Sequence, residues 1–116
     1  MPLNERFKAR AEHNERLLAT FDLSKTSFLD WAVVVAFYAA VRYVDGFFFP
    51  RRPVSHEERT RWVATDPRTR PIWGHYRELY NRSREARYEL VDFTPREVRL
   101  LVANDLGRVK SHLLRQ

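Results

Sequence analysis

Apolar residues recur at helical spacing along most of this chain, and no stretch alternates with a period of two for long enough to predict a strand. The first helical stretch runs from about Asn4 to Thr20. Its opposite face is charged, so the pattern predicts an amphipathic helix with one side in solvent. The inward stripe consists of Phe7, Ala11, Asn14, Leu18 and Phe21.

The second stretch, from about Thr26 to Phe48, contains the run WAVVVAFYAAV between Trp31 and Val41, which is apolar on every side. A helix without a polar face is normally enclosed by other helices. The β-branched residues Val33 to Val35 leave a buried strand as the alternative, but the length of the run and its alanines favour a helix. The segment Ser24 to Ser27 offers oxygens for an N-cap.

The third and fourth predicted helices are marked by their first residues. Ser55 and Glu58 have the spacing of a capping box, and this helix ends near Thr65. Pro71 is placed to open the next helix, because proline is favoured at the first helical position. The inward stripe of this fourth helix is Ile72, Tyr76, Leu79, Tyr80, Ser83, Ala86 and Leu90.

The fifth helix has the strongest start signal. Thr94, Pro95 and Glu97 supply a cap, a first-turn proline and a capping box together. Five helices joined by short loops predict an all-α fold, an antiparallel four- to five-helix bundle that occupies residues 1–116 as a single domain. The stripe of the fifth helix is Val98, Leu101, Val102, Asp105, Val109, His112 and Leu113.

Composition argues against disulfide-bonded, secreted, membrane-spanning and metal-binding proteins. There is no cysteine, which excludes disulfides and thiolate metal sites and favours a cytoplasmic location. We expect no secretory signal, since the N-terminus lacks an apolar core, and no membrane span, since the longest uncharged run falls well short of ~20 residues. No metal or cofactor is expected, because the chain has neither a glycine-rich phosphate loop nor a His-x-x-x-His pair.

The chain is basic, with a net charge of +6 and a pI of about 10.2. Three of its 21 basic residues are lysine, so 18 are arginine. Arginine presents a planar donor fork that suits phosphate and stacks on bases, and a basic excess favours an anionic partner. The alternative is that a GC-rich genome encodes arginine in place of lysine.

The order of several short motifs resembles the HEPN family. AFYAA, from Ala36 to Ala40, matches the small–aromatic–Tyr–Ala signature of that family's second helix. His56 then opens the next helix, and YRELYNRSREARYEL carries Arg84, Ala86 and Tyr88 in the family's Arg-x-x-Ala-x-Tyr positions. A helix beginning TPREV completes the series. The resemblance covers about half of the chain by motif.

Two positions depart from the family pattern in this sequence. Arg42 stands where the family often has a histidine, and Arg87 where it usually has an aspartate. Both changes add positive charge and favour an anionic ligand. The resemblance implies a helical bundle, commonly dimeric, that accompanies a minimal nucleotidyltransferase in toxin–antitoxin or defence systems. One family branch comprises metal-independent ribonucleases with an Arg and a His from both subunits, and another serves as a binding helper.

Arg51 and His56 are the candidate catalytic pair implied by the ribonuclease branch, with four residues between them. In that chemistry a histidine moves the proton and an arginine stabilises the phosphorane charge. Arg70 and His75 have the same spacing, but His56 lies in the first turn of a helix, where free N–H groups favour phosphate. In the structural alternative, His56 is a surface histidine beside the capping box.

A basic and aromatic cleft is the second candidate site. A charge at Arg42, inside an otherwise apolar helix, must either pair with Asp45 or face a cleft. Guanidinium planes and aromatic rings together suit bases and phosphates. In the alternative, the tyrosines belong to the core and the arginines pair with glutamates along the helix surface. The candidate ligand-binding residues are Tyr38, Arg42, Arg59, Arg84, Arg87 and Tyr88.

The consecutive residues Phe47, Phe48 and Phe49 end the second helix. Three adjacent aromatic rings cannot all face one core, so at least one should be exposed or covered by a second subunit, which indicates a homodimer. The preferred function is a non-catalytic module that binds RNA or nucleotide and partners a nucleotidyltransferase or antitoxin. The alternatives are a metal-independent endoribonuclease toxin and a purely structural helical adaptor.

Overall fold

The computed structural model describes residues 2–116, and every regular element in that range is helical, which confirms the predicted all-α class. A 3₁₀ turn precedes the fourth helix, and π-helical segments at Glu85–Glu89 and Leu101–Leu106 follow the fourth and fifth. The last three elements form one uninterrupted helical stretch from Pro95 to Leu114. The α-helices are α1 (Glu5–Ala19), α2 (Leu29–Phe48), α3 (His56–Thr65), α4 (Trp73–Arg84), α5 (Pro95–Leu100) and α6 (Gly107–Leu114).

Helix α2 is the centre of the bundle. It packs against α1, α4 and the C-terminal helical stretch, while α3 packs on α4. Burial of its apolar side chains supplies the main driving force for this arrangement, at about 25 cal/mol for each Å² removed from water. The buried residues of α2 are Ala32, Val33, Ala36, Phe37, Ala39, Ala40, Val41, Tyr43, Val44, Asp45, Gly46 and Phe48.

Two details of α2 differ from the prediction. The helix begins at Leu29 rather than Thr26, because Thr26 uses its hydroxyl to accept the backbone N–H of Phe28 outside the helix. Trp31 is 58% exposed, so the apolar run is not enclosed at its first residue. By length and composition α2 is also apolar enough to cross a membrane, but 67% of its most apolar 18 residues are buried inside the bundle, as in a core helix.

The predicted caps of α3 and α5 are present. Ser55 accepts the backbone N–H of Glu58 at 3.0 Å, and the Glu58 carboxylate accepts from the backbone of Val54, one residue earlier than a standard box. Thr94 and Glu97 form the complete reciprocal box at the start of α5. These bonds satisfy N–H groups that have no partner within the helix, so they fix both start points.

The end of the fourth helix was predicted incorrectly. The α-helical pattern stops at Arg84 and continues as the π-helical turn Glu85–Glu89. Leu90 then adopts a left-handed backbone with φ 53° and is 90% exposed, so it does not belong to the inward stripe. The π turn changes the rotation per residue within it, which sets the position of Arg87.

Helices α1 and α2 approach closely at Gly46. The backbone N–H of Asn4 donates to the Gly46 carbonyl at 3.1 Å, and a Cβ added to Gly46 would lie 3.0 Å from the Cβ of Phe7. Farther along the same helix pair, Tyr43 donates its hydroxyl to Glu15, which also accepts from Lys110 at 3.2 Å. Burial raises the pKa of Tyr43, so the hydroxyl keeps its proton.

Candidate functional site

Side chains from α2, α3 and the π turn meet on one side of the bundle. Tyr38, Arg42 and Asp45 follow one another at intervals of four and three residues, so they lie on one face of α2. His56 and Arg59 are three residues apart on α3 and share its face toward α2. We call this set the Tyr38 cluster: Tyr38, Arg42, Asp45, His56, Arg59 and Arg87.

A buried ion pair anchors the cluster. Asp45 is 6% exposed and Arg59 is 8% exposed. Arg59 donates Nε to one carboxylate oxygen at 2.7 Å and a terminal nitrogen to the other at 3.3 Å. Arg42, whose side chain is 38% exposed, adds a longer bond of 3.4 Å to the same carboxylate. The α3 arginine is therefore held rigidly, whereas Arg42 keeps part of its guanidinium in solvent.

His56 is held in its neutral form. Partial burial is the largest cause of its lowered pKa, and the neighbouring charges of Arg59 and Arg87 lower the pKa further. Its Nδ1 lies 2.9 Å from a terminal nitrogen of Arg59. Arginine can only donate, so Nδ1 must accept and the ring proton must reside on Nε2. That Nε2–H then donates to the Tyr38 hydroxyl oxygen at 3.3 Å.

The Tyr38 hydroxyl oxygen receives a second hydrogen bond. Arg87 donates to it from a terminal nitrogen at 3.3 Å. A hydroxyl has two acceptor positions and one hydrogen to donate, so both acceptor positions are filled here. Within residues 2–116 no protein group accepts the remaining O–H of Tyr38. The cluster therefore presents one unused O–H donor among three guanidinium groups.

Arg87 covers the outer side of the cluster. Its Nε donates to the carbonyl of Ser83 at 3.3 Å, across one turn of helix. Its guanidinium carbon lies 5.8 Å from the centroid of the Tyr38 ring and 5.1 Å from that of Tyr88. The buried ring of Phe37 lies beneath, 5.5 Å from the ring of His56. An apolar floor beneath a basic rim strengthens electrostatic attraction, because it lowers the local dielectric constant.

The charge balance of the cluster is positive. Three guanidinium groups stand against the single carboxylate of Asp45, which leaves two net positive charges while His56 is neutral. Elsewhere, arginines such as Arg68 and Arg82 are matched by nearby carboxylates. Unmatched guanidinium groups that also have defined hydrogen-bond geometry are suited to a phosphate or a carboxylate.

Four of the six predicted ligand-binding residues belong to the cluster, together with His56; they are Tyr38, Arg42, Arg59 and Arg87. The other two lie at its edge. Arg84 is exposed and donates to the hydroxyl of Tyr80 at 3.3 Å. It forms no ion pair with Glu78, Glu85 or Glu89, the glutamates of the structural alternative, and Arg82 pairs with the first two instead. Tyr88 is 70% exposed and reaches the cluster only through Arg87.

Arg51 lies apart from His56. Its guanidinium carbon stacks 4.1 Å from the ring centroid of Trp62, six residues beyond His56 on α3. Six residues of helix span about 9 Å, so the two predicted catalytic residues lie toward opposite ends of α3. A composite site of the kind that the family resemblance implies would need Arg51 of one chain and His56 of another. The arginine that His56 contacts within its own chain is Arg59.

Two further histidines, His75 and His112, bond to groups distant in sequence. His75 Nδ1 lies 2.8 Å from a carboxylate oxygen of Asp105, which joins α4 to the C-terminal stretch. His112 lies 2.6 Å from the backbone carbonyl of Arg68. Both contacts link segments distant in sequence, so these side chains help to hold the fold together.

The Asp45–Arg59 bond was missed by reasoning from the sequence, which considered only the neighbouring Arg42 as the partner of Asp45. The available signal was an acid within an apolar helix together with an arginine one turn after His56. No family model, curated protein or solved structure matches this chain. The similarity to HEPN proteins thus rests on the order of the sequence motifs.

Proposed function

We propose that this chain is an HEPN-like module that binds RNA or a nucleotide through a phosphate group at the Tyr38 cluster, without cleaving it. The observation that carries the proposal is the unused O–H of Tyr38, surrounded by three guanidinium groups and one carboxylate. A phosphate oxygen accepts such a donor and is attracted by the net positive charge.

The exposed parts of the cluster fit a phosphate with an attached base. Arg42 and Arg87 have donors toward solvent, because each uses only part of its guanidinium on the protein. The exposed ring of Tyr88, next to Arg87, offers a face on which a base stacks. A planar guanidinium with two parallel donors gives phosphate binding its geometry as well as its charge.

The state of His56 favours binding over cleavage. A general base needs an unoccupied lone pair within reach of the proton that it removes. The only lone pair of neutral His56 is on Nδ1, and it accepts the hydrogen bond from Arg59. Because Asp45 holds Arg59 in place, releasing this lone pair would require the His56 ring to turn away from a fixed donor and to break its bond to Tyr38.

Dimerisation and association with a nucleotidyltransferase or antitoxin belong to the same proposal. Phe49 is 43% exposed at the end of α2, as expected for at least one of the three consecutive phenylalanines, but the aromatic surface that we assign to a subunit contact lies elsewhere. At the other end of α2, Phe28 and Trp31 are each more than half exposed. Large exposed aromatic side chains are typical of protein interfaces, and sedimentation velocity on the full chain measures whether it forms a dimer.

The binding proposal is tested by fluorescence anisotropy with a labelled eight-nucleotide single-stranded RNA and with labelled ATP. We expect Arg87→Gln to weaken both affinities about tenfold or more, since a hydrogen bond to a charged group contributes roughly 1.5–3 kcal/mol. Tyr38→Phe should have a similar effect. Arg108→Gln, which removes the same charge from an exposed position on α6, is the matched control and should change affinity less than threefold.

Equal losses for Arg87→Gln and Arg108→Gln would refute the proposal, because they would indicate attraction by overall charge alone. The same RNA, incubated with the protein and EDTA and then analysed on a gel, tests the ribonuclease alternative. Metal-independent cleavage that disappears in both His56→Ala and Arg51→Ala would overturn the binding proposal in favour of the ribonuclease alternative.

A further inference from the structure

A second basic surface lies beside the Tyr38 cluster, between α1, the middle of α2 and the segment that follows α2. It is a cavity of about 340 Å³, and no carboxylate lines it in the described part of the chain. We call it the arginine groove. Its lining consists of Asn4, Arg6, Phe7, Arg10, Arg42, Phe49 and Arg52.

Three of the four guanidinium groups of the groove lack acidic partners, and the fourth, Arg42, pairs with Asp45 at 3.4 Å. In residues 2–116 no carboxylate lies within 4.0 Å of a side-chain nitrogen of Arg6, Arg10 or Arg52. Arg6 and Arg10 are four residues apart on α1, so they project from the same face about 6 Å apart along the helix. Four like charges around one depression repel each other, and a polyanion relieves that repulsion.

Aromatic rings accompany the charges in this groove. The guanidinium carbon of Arg52 lies 5.5 Å from the centroid of the Phe7 ring, and that ring packs 5.9 Å from the ring of Phe49. Phe49 is 43% exposed. Sites for single-stranded nucleic acid typically combine arginines along the path of the phosphate backbone with an exposed aromatic ring on which a base stacks. An acidic peptide would use the charges but would leave the rings without a role.

Arg42 joins the two surfaces. Its half-exposed side chain lines the groove, and one of its terminal nitrogens bonds Asp45 of the Tyr38 cluster at 3.4 Å. A ligand with one phosphate at the cluster therefore has its next phosphates directed toward Arg6 and Arg10. We expect a mononucleotide to occupy the cluster alone, because it has no neighbouring phosphodiester to place in the groove.

The geometry points to a single-stranded oligonucleotide as the ligand, with one nucleotide at the Tyr38 cluster and its neighbouring phosphodiesters in the arginine groove. This inference rests on the proposed function and specifies its ligand class. It requires affinity to grow with strand length, because each added phosphate gains a guanidinium partner. The cluster alone would bind ATP and an eight-nucleotide strand with similar affinities.

The test compares Arg6→Gln/Arg10→Gln with the control Arg96→Gln/Arg108→Gln, which removes two exposed arginines from α5 and α6. Kd is measured for ATP and for RNA strands of two, four and eight nucleotides over a range of salt concentrations. The groove variant should weaken binding of the eight-nucleotide strand at least tenfold and leave ATP within twofold of wild type. Its plot of log Kd against log salt should lose about 1.4 in slope, since each phosphate contact to a single strand contributes about 0.7.

Each result separates the groove from the cluster. If Arg87→Gln weakens ATP binding while the groove variant matches its control on every strand, the groove inference is wrong and the proposed function stands. If only the groove variant weakens binding and Arg87→Gln does not, the cluster proposal fails instead. A ten-residue polyglutamate that competes as strongly as the eight-nucleotide RNA would overturn the nucleic-acid assignment in favour of an acidic protein. Circular dichroism verifies that all of these variants remain folded. The substituted arginines are exposed, apart from Arg87, which is partly buried.

Discussion

Asp45→Asn is the substitution that most directly tests how the Tyr38 cluster is built. Asparagine has nearly the shape of aspartate and keeps one oxygen acceptor, so the change removes the charge with little change in volume. Arg59 is 8% exposed, and its only carboxylate contact in residues 2–116 is Asp45. The substitution therefore leaves a guanidinium buried without a counter-charge.

The expected cost follows from the burial of the pair. Removing one partner of a buried ion pair costs about 3–5 kcal/mol, and we expect about 3 kcal/mol because asparagine still accepts a hydrogen bond. Arg59→Met should cost less, roughly 1–3 kcal/mol, since Arg42 still pairs with Asp45 at 3.4 Å. Arg42→Met should cost under about 1 kcal/mol, because a partly exposed pair contributes little.

Urea unfolding followed by circular dichroism at 222 nm measures these differences. With an m-value of about 1–3 kcal/mol/M, the Asp45→Asn midpoint should fall by roughly 1–3 M. The double variant Asp45→Asn/Arg59→Met should be less destabilised than the sum of its single changes, by about 0.5–3 kcal/mol. An Asp45→Asn variant within about 0.5 kcal/mol of wild type, or strict additivity in the double variant, would refute the reasoning that this pair is buried and mutually dependent.

Two further predictions concern the helix contact and the histidine. Gly46→Ala should destabilise the fold by about 1–3 kcal/mol, because the new Cβ would lie 3.0 Å from the Cβ of Phe7. The control Gly74→Ala should stabilise the fold by about 0.4–1 kcal/mol, because beyond its own helix turn no part of residues 2–116 lies within 4 Å of the new Cβ, and urea unfolding compares the two variants. The lowered pKa of His56 means that the folded state binds fewer protons than the unfolded state, so stability should fall as pH drops from about 6.5 through the folded-state pKa. His56→Gln should flatten that dependence in unfolding measurements between pH 7 and pH 5, and an unchanged slope would show that His56 is not the group responsible.

The sequence predicted the helices well where their signals are local. Ser55 and Thr94 act on N–H groups within three residues of themselves, so their caps can be deduced without any tertiary information. The π turn after Arg84 has no such signal, and extending the α-helical period through it placed Leu90 inside the bundle. The exposure of Trp31 is equally non-local, because it depends on which neighbouring helix ends before reaching it.

The contrast between Arg59 and Arg51 shows which part of the candidate site was predictable. Arg59 is one turn from His56 on the same helix, so a fixed rise and rotation bring their side chains together and the prediction follows from spacing alone. Arg51 is similarly close in sequence, but the intervening residues lie outside a helix, and spacing across such a segment fixes neither direction nor distance. In this chain the segment directs Arg51 onto Trp62, so a motif defined by an interval across a loop needs the fold before it identifies a pair. The binding hypothesis and the ribonuclease hypothesis therefore differ in one physical respect. Binding uses contacts that are set within helices, whereas cleavage needs another copy of the chain to supply Arg51.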